Sequence, residues 1–231
     1  MGNIGILASI NPKSPSAEAY RILRTNIQFT NIDKTIKSIV ITSPGPGEGK
    51  STIIVNLAVA MAHNNKRVLL IDTDLRKPNI HTFFGLDNSK GVTNVLSEDI
   101  EYAKVIQHTD IGKLYILASG PIPPNPSELL GSHKIKSLLN DVKEEYDMVL
   151  FDSPPVCLVT DAAVLSTIVD GVILVCASGQ TTIENAKNAK ALLNKVNANI
   201  LGVVLNKVAM KNGYYNKICE YYTYYEDKAY G

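Results

Sequence analysis

The chain has 231 residues, 45% of them hydrophobic, and a net charge of +1. That is enough apolar material for one sizeable core, and so balanced a charge supplies no field drawing the chain toward nucleic acid or an anionic membrane. No apolar run approaches the ~18–20 residues that span a bilayer, and the first ten residues lack the basic start of a signal peptide, so membrane association is expected only through a partner.

Residues 1–13 read as an entry segment. Pro15 and Ser16 then open a helix over about 15–30, with Ala19, Ile22, Leu23, Asn26 and Ile27 along one stripe. Glu18, Arg21 and Arg24 recur at a spacing of three on a neighbouring face, which suits either a solvated charged face or a subunit contact. Next comes the apolar run Ser38-Ile39-Val40-Ile41-Thr42, and after it Ser43-Pro44-Gly45-Pro46-Gly47-Glu48-Gly49-Lys50-Ser51-Thr52. Ile53, Ile54, Leu57, Ala58, Met61 and Ala62 follow at helical spacing, and His63 ends that helix where its ring suits the negative end of the dipole. Strand, glycine-rich loop and helix form the context in which a phosphate-binding loop is credible. Gly45, Gly47 and Gly49 let the backbone curl with its N–H groups inward, joined by Glu48 and Thr52. Lys50 is placed for the β- and γ-phosphates, and the Ser51 hydroxyl for Mg²⁺.

Arg67-Val68-Leu69-Leu70-Ile71 reads as a buried strand of a parallel sheet, ending at Asp72-Thr73-Asp74-Leu75-Arg76-Lys77-Pro78. Alternation puts Asp72 and Asp74 on one side at the strand's carboxyl end, where open α/β sheets bind ligands. Two carboxylates there call for a cation, Mg²⁺, between them; the plainer alternative is that one of them caps a following helix. Residues 79–110 mix short helical patterns with polar turns, and His81, His108 and His133 fit no metal spacing. Leu114-Tyr115-Ile116-Leu117 is a further strand, followed by a stiff proline-rich loop and a helix that Ser127 or Ser132 would cap. Asp147-Met148-Val149-Leu150-Phe151-Asp152-Ser153-Pro154-Pro155 delivers Asp152 to the same sheet edge. Gly171-Val172-Ile173-Leu174-Val175 and Ile200-Leu201-Gly202-Val203-Val204-Leu205 complete six strands, joined by a helix over about 181–196. The second ends at Asn206, whose amide suits a nucleotide base edge or a plain turn. Strands alternating with helices predict an α/β fold with a doubly wound, mostly parallel sheet.

Cys157, Cys176 and Cys219 have no paired spacing; the first two lie in or beside apolar runs and read as small core residues in a reducing compartment, a free nucleophilic thiol being the alternative. Seven of the 11 tyrosines follow Lys211: Tyr214, Tyr215, Tyr221, Tyr222, Tyr224, Tyr225 and Tyr230. No helical or strand period fits the densest part, and a terminal segment without apolar partners is expected to be mobile. Too few interleaved basic residues accompany the rings for nucleic-acid stacking. A row of phenols attached to a nucleotide site suggests phosphoryl acceptors.

Together the phosphate loop, Ile71–Pro78, the strand ending at Asp152, Pro123-Pro124-Asn125-Pro126-Ser127-Glu128-Leu129-Leu130, Glu18-Ala19-Tyr20-Arg21-Ile22-Leu23-Arg24-Thr25-Asn26 and the tyrosine cluster resemble the bacterial tyrosine kinases of capsule and exopolysaccharide synthesis, in their short form. Pro44, where the loop pattern asks for glycine, is one departure. The resemblance implies a P-loop kinase domain over 1–212 with a tyrosine-rich tail over 213–231, using ATP and Mg²⁺. It implies Ser51, Asp74 and Asp152 at the metal, Lys50, Asp72, Asp74 and Asp152 in catalysis, and Glu18, Arg21 and Arg24 in the contact of a homo-oligomeric ring. It further implies protein-tyrosine substrates, a cytoplasmic enzyme, and recruitment to the inner membrane face by an adaptor related to polysaccharide chain-length regulators. The chief rival is a partitioning or cell-division ATPase of the ParA/MinD type, whose loop carries a lysine where this chain has Gly45. A nucleotide-binding scaffold without catalysis is a third reading.

Overall fold

The computed structural model describes residues 6, 14–30 and 35–209. The seven tail tyrosines and Cys219 lie outside the described residues. Helix α1 (Pro15–Phe29) precedes strand β1 (Ser38–Thr42), α2 (Lys50–Ala62) and β2 (Val68–Asp72). The short helices α3 (Ile80–Phe84) and α4 (Val92–Ser97) lead to β3 (Gln107–His108) and β4 (Leu114–Leu117). Helices α5 (Pro126–Leu130) and α6 (His133–Glu145), strand β5 (Met148–Asp152), α7 (Asp161–Ser166), β6 (Gly171–Ala177), α8 (Ile183–Lys195) and β7 (Ile200–Asn206) complete the chain order.

The strands lie in the order β3-β4-β2-β5-β1-β6-β7. All neighbours run parallel except β3 against β4. Six of the seven strands are those legible from apolar runs. The seventh, β3, has two residues and is half-exposed, too short and too polar to leave a periodic trace. Strands β1, β2 and β5 are buried along their whole length, as sheet covered on both faces requires.

One apolar layer packs α2, with α1 behind it, on one face of the sheet; the other holds Leu138, Leu139 and Val142 of α6, Leu165 of α7 and Leu193 of α8. Every residue of α2 from Ile53 to Ala62 is buried, so this helix is held between sheet and α1 rather than floating on the surface. The buried face of α1 differs from the stripe expected. Ala17, Tyr20 and Ile27 turn inward, whereas Ala19 is exposed and Ile22 is 41% exposed. The aromatic ring of Tyr20 has more apolar area to bury than Ala19 or Ile22, and that sets the rotation; its hydroxyl is pushed up to about 12 by burial.

Candidate active site

The phosphate loop is built as the spacing predicts. β1 ends at Thr42 and α2 begins at Lys50, with Gly49 at its N-cap in a left-handed conformation (φ 92°) that disfavours a side chain. A Cβ on Gly49 would also meet Asn206 Nδ2 at 2.2 Å. What the sequence did not reveal is how the loop is held. Its successive carbonyls are taken from outside: Pro46 O accepts from Gln180 Nε2 (3.0 Å), Gly47 O from Lys207 Nζ (2.6 Å) and Glu48 O from Asn206 Nδ2 (2.9 Å). With these three acceptors committed to the ends of β6 and β7, the loop N–H groups beyond Gly45 are the groups left for a ligand's anionic oxygens.

Glu48 belongs to the same brace. Its side chain is buried and accepts from the Gly45 N–H (2.8 Å), the Ala177 N–H (3.2 Å) and the Thr181 hydroxyl (2.6 Å). The Glu48 carboxylate thus ties the loop to the end of β6, a role the spacing alone did not reveal. The amide of Asn206 is likewise committed on its Nδ2 side to the loop backbone.

Sheet register brings the acidic residues together. Asp72 is the cross-strand neighbour of Asp152 where β2 pairs with β5, and Ile41 of β1 flanks Asp152 on the other side. Thr73 locks the two strand ends, its N–H and hydroxyl both donating to Asp152 O (2.9 and 2.5 Å). Lys50 reaches across, with Nζ 3.4 Å from Asp74 Oδ2. The Ser51 hydroxyl donates to Asp152 Oδ2 at 2.6 Å. Lys50, Ser51, Asp72, Asp74 and Asp152, read from three separate stretches of chain, thus meet at one rim of the sheet.

The two buried aspartates differ in their surroundings. Asp72 accepts from the Asp74 N–H on one oxygen (3.2 Å) and from the Asn79 and Ile80 N–H groups on the other (both 3.0 Å), so it does cap α3, the plainer of the two readings above. Burial, then the charge of Asp152, nevertheless pushes its carboxyl up to about 8. Asp152 is pushed up to about 6, by burial first, with Lys50 and Ser51 pulling the other way. Its Oδ1 is buried and makes no hydrogen bond.

An orphaned carboxylate oxygen in a dry site carries a cost that a cation removes, and Ser51 stands beside it. Among the described residues no three His, Cys, Asp or Glu side chains converge closely enough to hold a metal by themselves. Mg²⁺ needs no such cluster, because it takes one or two carboxylates and completes its shell with phosphate oxygens and water. The residues present therefore fit that ion. Cavity size does not find this site: spaces of about 370 and 470 Å³ open elsewhere, beneath α1 and between α8 and β7.

Residues 36–207 match the family model described as an AAA domain. The chain is 47% identical to the tyrosine-protein kinase YwqD of Bacillus subtilis (strain 168), over 87% of this chain and 85% of that one. It is 40% identical to the putative tyrosine-protein kinase CapB of Staphylococcus aureus, over 94% of this chain and 93% of the other. The kinase domain of the Escherichia coli tyrosine kinase ETK superposes with a TM-score of 0.88 at 35% identity, covering 92% of this chain and 84% of that one. This chain belongs to the bacterial tyrosine kinases.

Several parts of this kinase's site had no sequence signal of their own. Gln180, Thr181 and Lys207 are ordinary polar residues until the parallel order brings the ends of β6 and β7 beside the loop. Asp161, fully buried, is held by the Arg76 guanidinium (3.0 and 3.2 Å) and the Ser127 hydroxyl (2.5 Å). Ser127 is thus bound to this knot, and Asn125 holds the N-cap position of α5; Ser132 does hold the N-cap position of α6, as expected, but its hydroxyl makes no capping hydrogen bond. Cys176 is buried as expected, whereas Cys157 is exposed, because the chain after Pro155 turns out to the surface before α7. Among the described residues no helix is long and apolar enough to cross a membrane.

On α1, Arg21 Nε donates to Glu18 at 2.6 Å, and both side chains are half-exposed. Arg24 turns the other way: its Nη1 donates to Ala60 O of α2 at 3.0 Å, and its Nε is buried without a hydrogen-bond partner.

Proposed function

We propose that this kinase binds MgATP on the Gly45–Thr52 loop and passes the γ-phosphoryl group to tail tyrosines of a neighbouring copy in a ring. Tyr214, Tyr215, Tyr221, Tyr222, Tyr224, Tyr225 and Tyr230 are the proposed acceptors. The observation that carries this reading is the pairing of a buried, unsatisfied Asp152 oxygen with Ser51 and Lys50 at the head of a loop whose Pro46, Gly47 and Glu48 carbonyls are engaged by Gln180, Lys207 and Asn206. Such a rim is made to receive charge that arrives with a ligand.

In this reading the loop N–H groups and Lys50 stabilise charge on the phosphates as the γ-phosphoryl leaves. Lys50 is released from Asp74 to do so, since the 3.4 Å contact is with the carboxylate proposed for the metal. Ser51, Asp74 and Asp152 would hold Mg²⁺, which when bound neutralises charge on the β- and γ-oxygens. Asp72 is the proposed base for the incoming phenol. A carboxylate offers about four lone-pair positions, and three main-chain N–H groups engage it, which leaves one for a proton. General-base assistance supplies ~10²–10⁴-fold, so positioning of the phenol by the ring is the larger share. Asn206 is proposed to border the base through its remaining amide oxygen.

The ring contact is proposed on the outer face of α1, through Glu18 and Arg21 beside the exposed Ile22 and Phe29 (41% and 74%), with Arg24 seating the helix on α2. Protein-tyrosine substrates, a membrane adaptor that recruits the kinase from the cytoplasm to the inner face, and a role in capsular or exopolysaccharide synthesis and export belong to the same proposal. So does the division into a kinase domain over 1–212 and a tail over 213–231. Phosphorylation adds about −1.5 to −2 charges per tyrosine, which would drive tails out of an acidic rim and loosen the ring.

Incubation with labelled ATP and Mg²⁺, followed by mass spectrometry of the tail, tests the reading. Phosphotyrosine on the chain, lost on replacing the tail tyrosines with phenylalanine, is expected. Release of free phosphate with no phosphotyrosine would transfer the chain's activity to the partitioning-ATPase reading.

A further inference from the structure

The last strand of the sheet is left unfinished. β7 pairs on one side with β6, and no described strand lies on its other side. Val203 and Leu205 are 61% and 60% exposed, and Val208 just beyond is 54% exposed. A seven-residue apolar edge of this kind is a template for another strand, which proteins usually blunt with charge, proline or a covering element. Beside it, a cavity of about 470 Å³ is floored by Leu174, Cys176 and Val203 and flanked by Lys187 and Lys190 of α8.

The chain's own sequence supplies a segment suited to that edge. Six residues beyond Asn206 stands Asn212-Gly213, the pair that most favours a two-residue type I′ hairpin turn. Counted back from that turn, Tyr222 falls opposite Val203 and Glu220 opposite Leu205. Lys207, left-handed at φ 55°, is where a one-residue bulge would sit; it would bring Tyr221 opposite Val203 instead, so an aromatic faces that valine in either register. Tyr221-Tyr222-Thr223-Tyr224-Tyr225 consists of aromatic and β-branched residues that suit a pleated strand. A run without apolar–polar alternation suits an edge with apolar neighbours on both faces, Val203 and Leu205 toward α8 and Val204 toward the α1 side. Glu220 in this stretch, and Glu226 and Asp227 just beyond Tyr225, carry charge opposite to that of Lys187 and Lys190, against the single Lys217.

We propose that residues 214–225 dock on the free edge of β7 of their own chain as an added antiparallel strand. The docking needs no catalysis; its consequence, that the tyrosines are withheld from a neighbouring copy's site until the strand is released, rests on the function proposed above. Main-chain hydrogen bonds would hold the strand, and the tyrosine rings would cover Val203 and its neighbours.

Hydrogen exchange of β7 in the full chain decides it. The outward N–H groups of residues 202–206 are expected to exchange at least about tenfold more slowly than in a chain carrying Asn212→Pro and Gly213→Val, which cannot form the turn. Val203→Lys, placed beside Lys187 and Lys190 at an exposed position, is expected to abolish the same protection with the turn intact. Equal exchange in all three chains overturns the docking. Protection that grows with protein concentration overturns it too, in favour of a second copy on the edge. Faster tail phosphorylation in the two variants supports the withholding role. Protection without phosphotyrosine in any chain upholds the docking and overturns that role alone.

Discussion

The rim formed by β1, β2 and β5 and the outer edge formed by β7 belong to one sheet and are finished in opposite ways. At the rim nearly every polar group is engaged: Asp72 by three N–H groups, Thr73 twice by Asp152 O, the loop carbonyls by Gln180, Lys207 and Asn206. Among the rim's described side-chain atoms the buried exception is Asp152 Oδ1, where a ligand is expected. At β7 it is apolar surface that is left over, with Val203 and Leu205 open to solvent. A site for chemistry has to be rigid before its ligand arrives, whereas a site for another stretch of chain must stay open.

The sharpest way to break this contrast is at Lys50. Lys50→Met should reduce phosphotransfer by 10²-fold or more, an order of magnitude set by loss of a charge-stabilising group, with the melting temperature nearly unchanged. Unaltered phosphotyrosine formation would remove the rim from the mechanism. Asp152→Asn separates chemistry from stability more finely. Activity should fall by a similar order, yet the metal-free protein should gain about 1 kcal/mol in denaturant unfolding, because a carboxylate whose charge is disfavoured by burial is replaced by a neutral amide. A loss of stability would mean that the carboxylate is already satisfied.

Glu48→Gln tests whether the brace matters apart from the ligand. Three donors converge on that carboxylate, and one would be left facing an amide, costing about 1–3 kcal/mol and raising KM for ATP more than it lowers kcat.

Asp170 makes a purely structural counterpart. Burial raises its carboxyl, but Lys143, the Lys37 N–H and Ser38 together outweigh burial and leave it below the ordinary value. A lowered folded-state pKa means that its stabilisation is present above the unfolded value and lost as pH falls through the folded one. Asp170→Asn should therefore be less stable than wild type at neutral pH, with the gap closing in acid, as thermal melts across pH would record. The smallest effect is expected at Ile22→Ser on the exposed face of α1. Monomer stability should change within about 0.5 kcal/mol, and the shift should appear only in the assembly state by sedimentation.

Sequence alone was enough to single out the residues that meet at the rim and the layers they sit on. An apolar run that stops at an acidic residue, or at glycines followed by Lys-Ser, signals a strand end and a helix start locally, so Lys50, Ser51, Asp72, Asp74 and Asp152 were legible without coordinates. Relations between distant segments were not. That Asp72 and Asp152 are register neighbours depends on β2 pairing with β5. The roles of Gln180, Lys207 and Glu48 depend on β6 lying beside β1 and β7 beside β6. The rotation of α1, the exposure of Cys157 and the open edge of β7 were likewise decided by packing. Local sequence sets hydrophobic period and turn chemistry, both short-range; strand order and helix rotation follow from how apolar area is shared across the whole molecule, and no single stretch carries that sum.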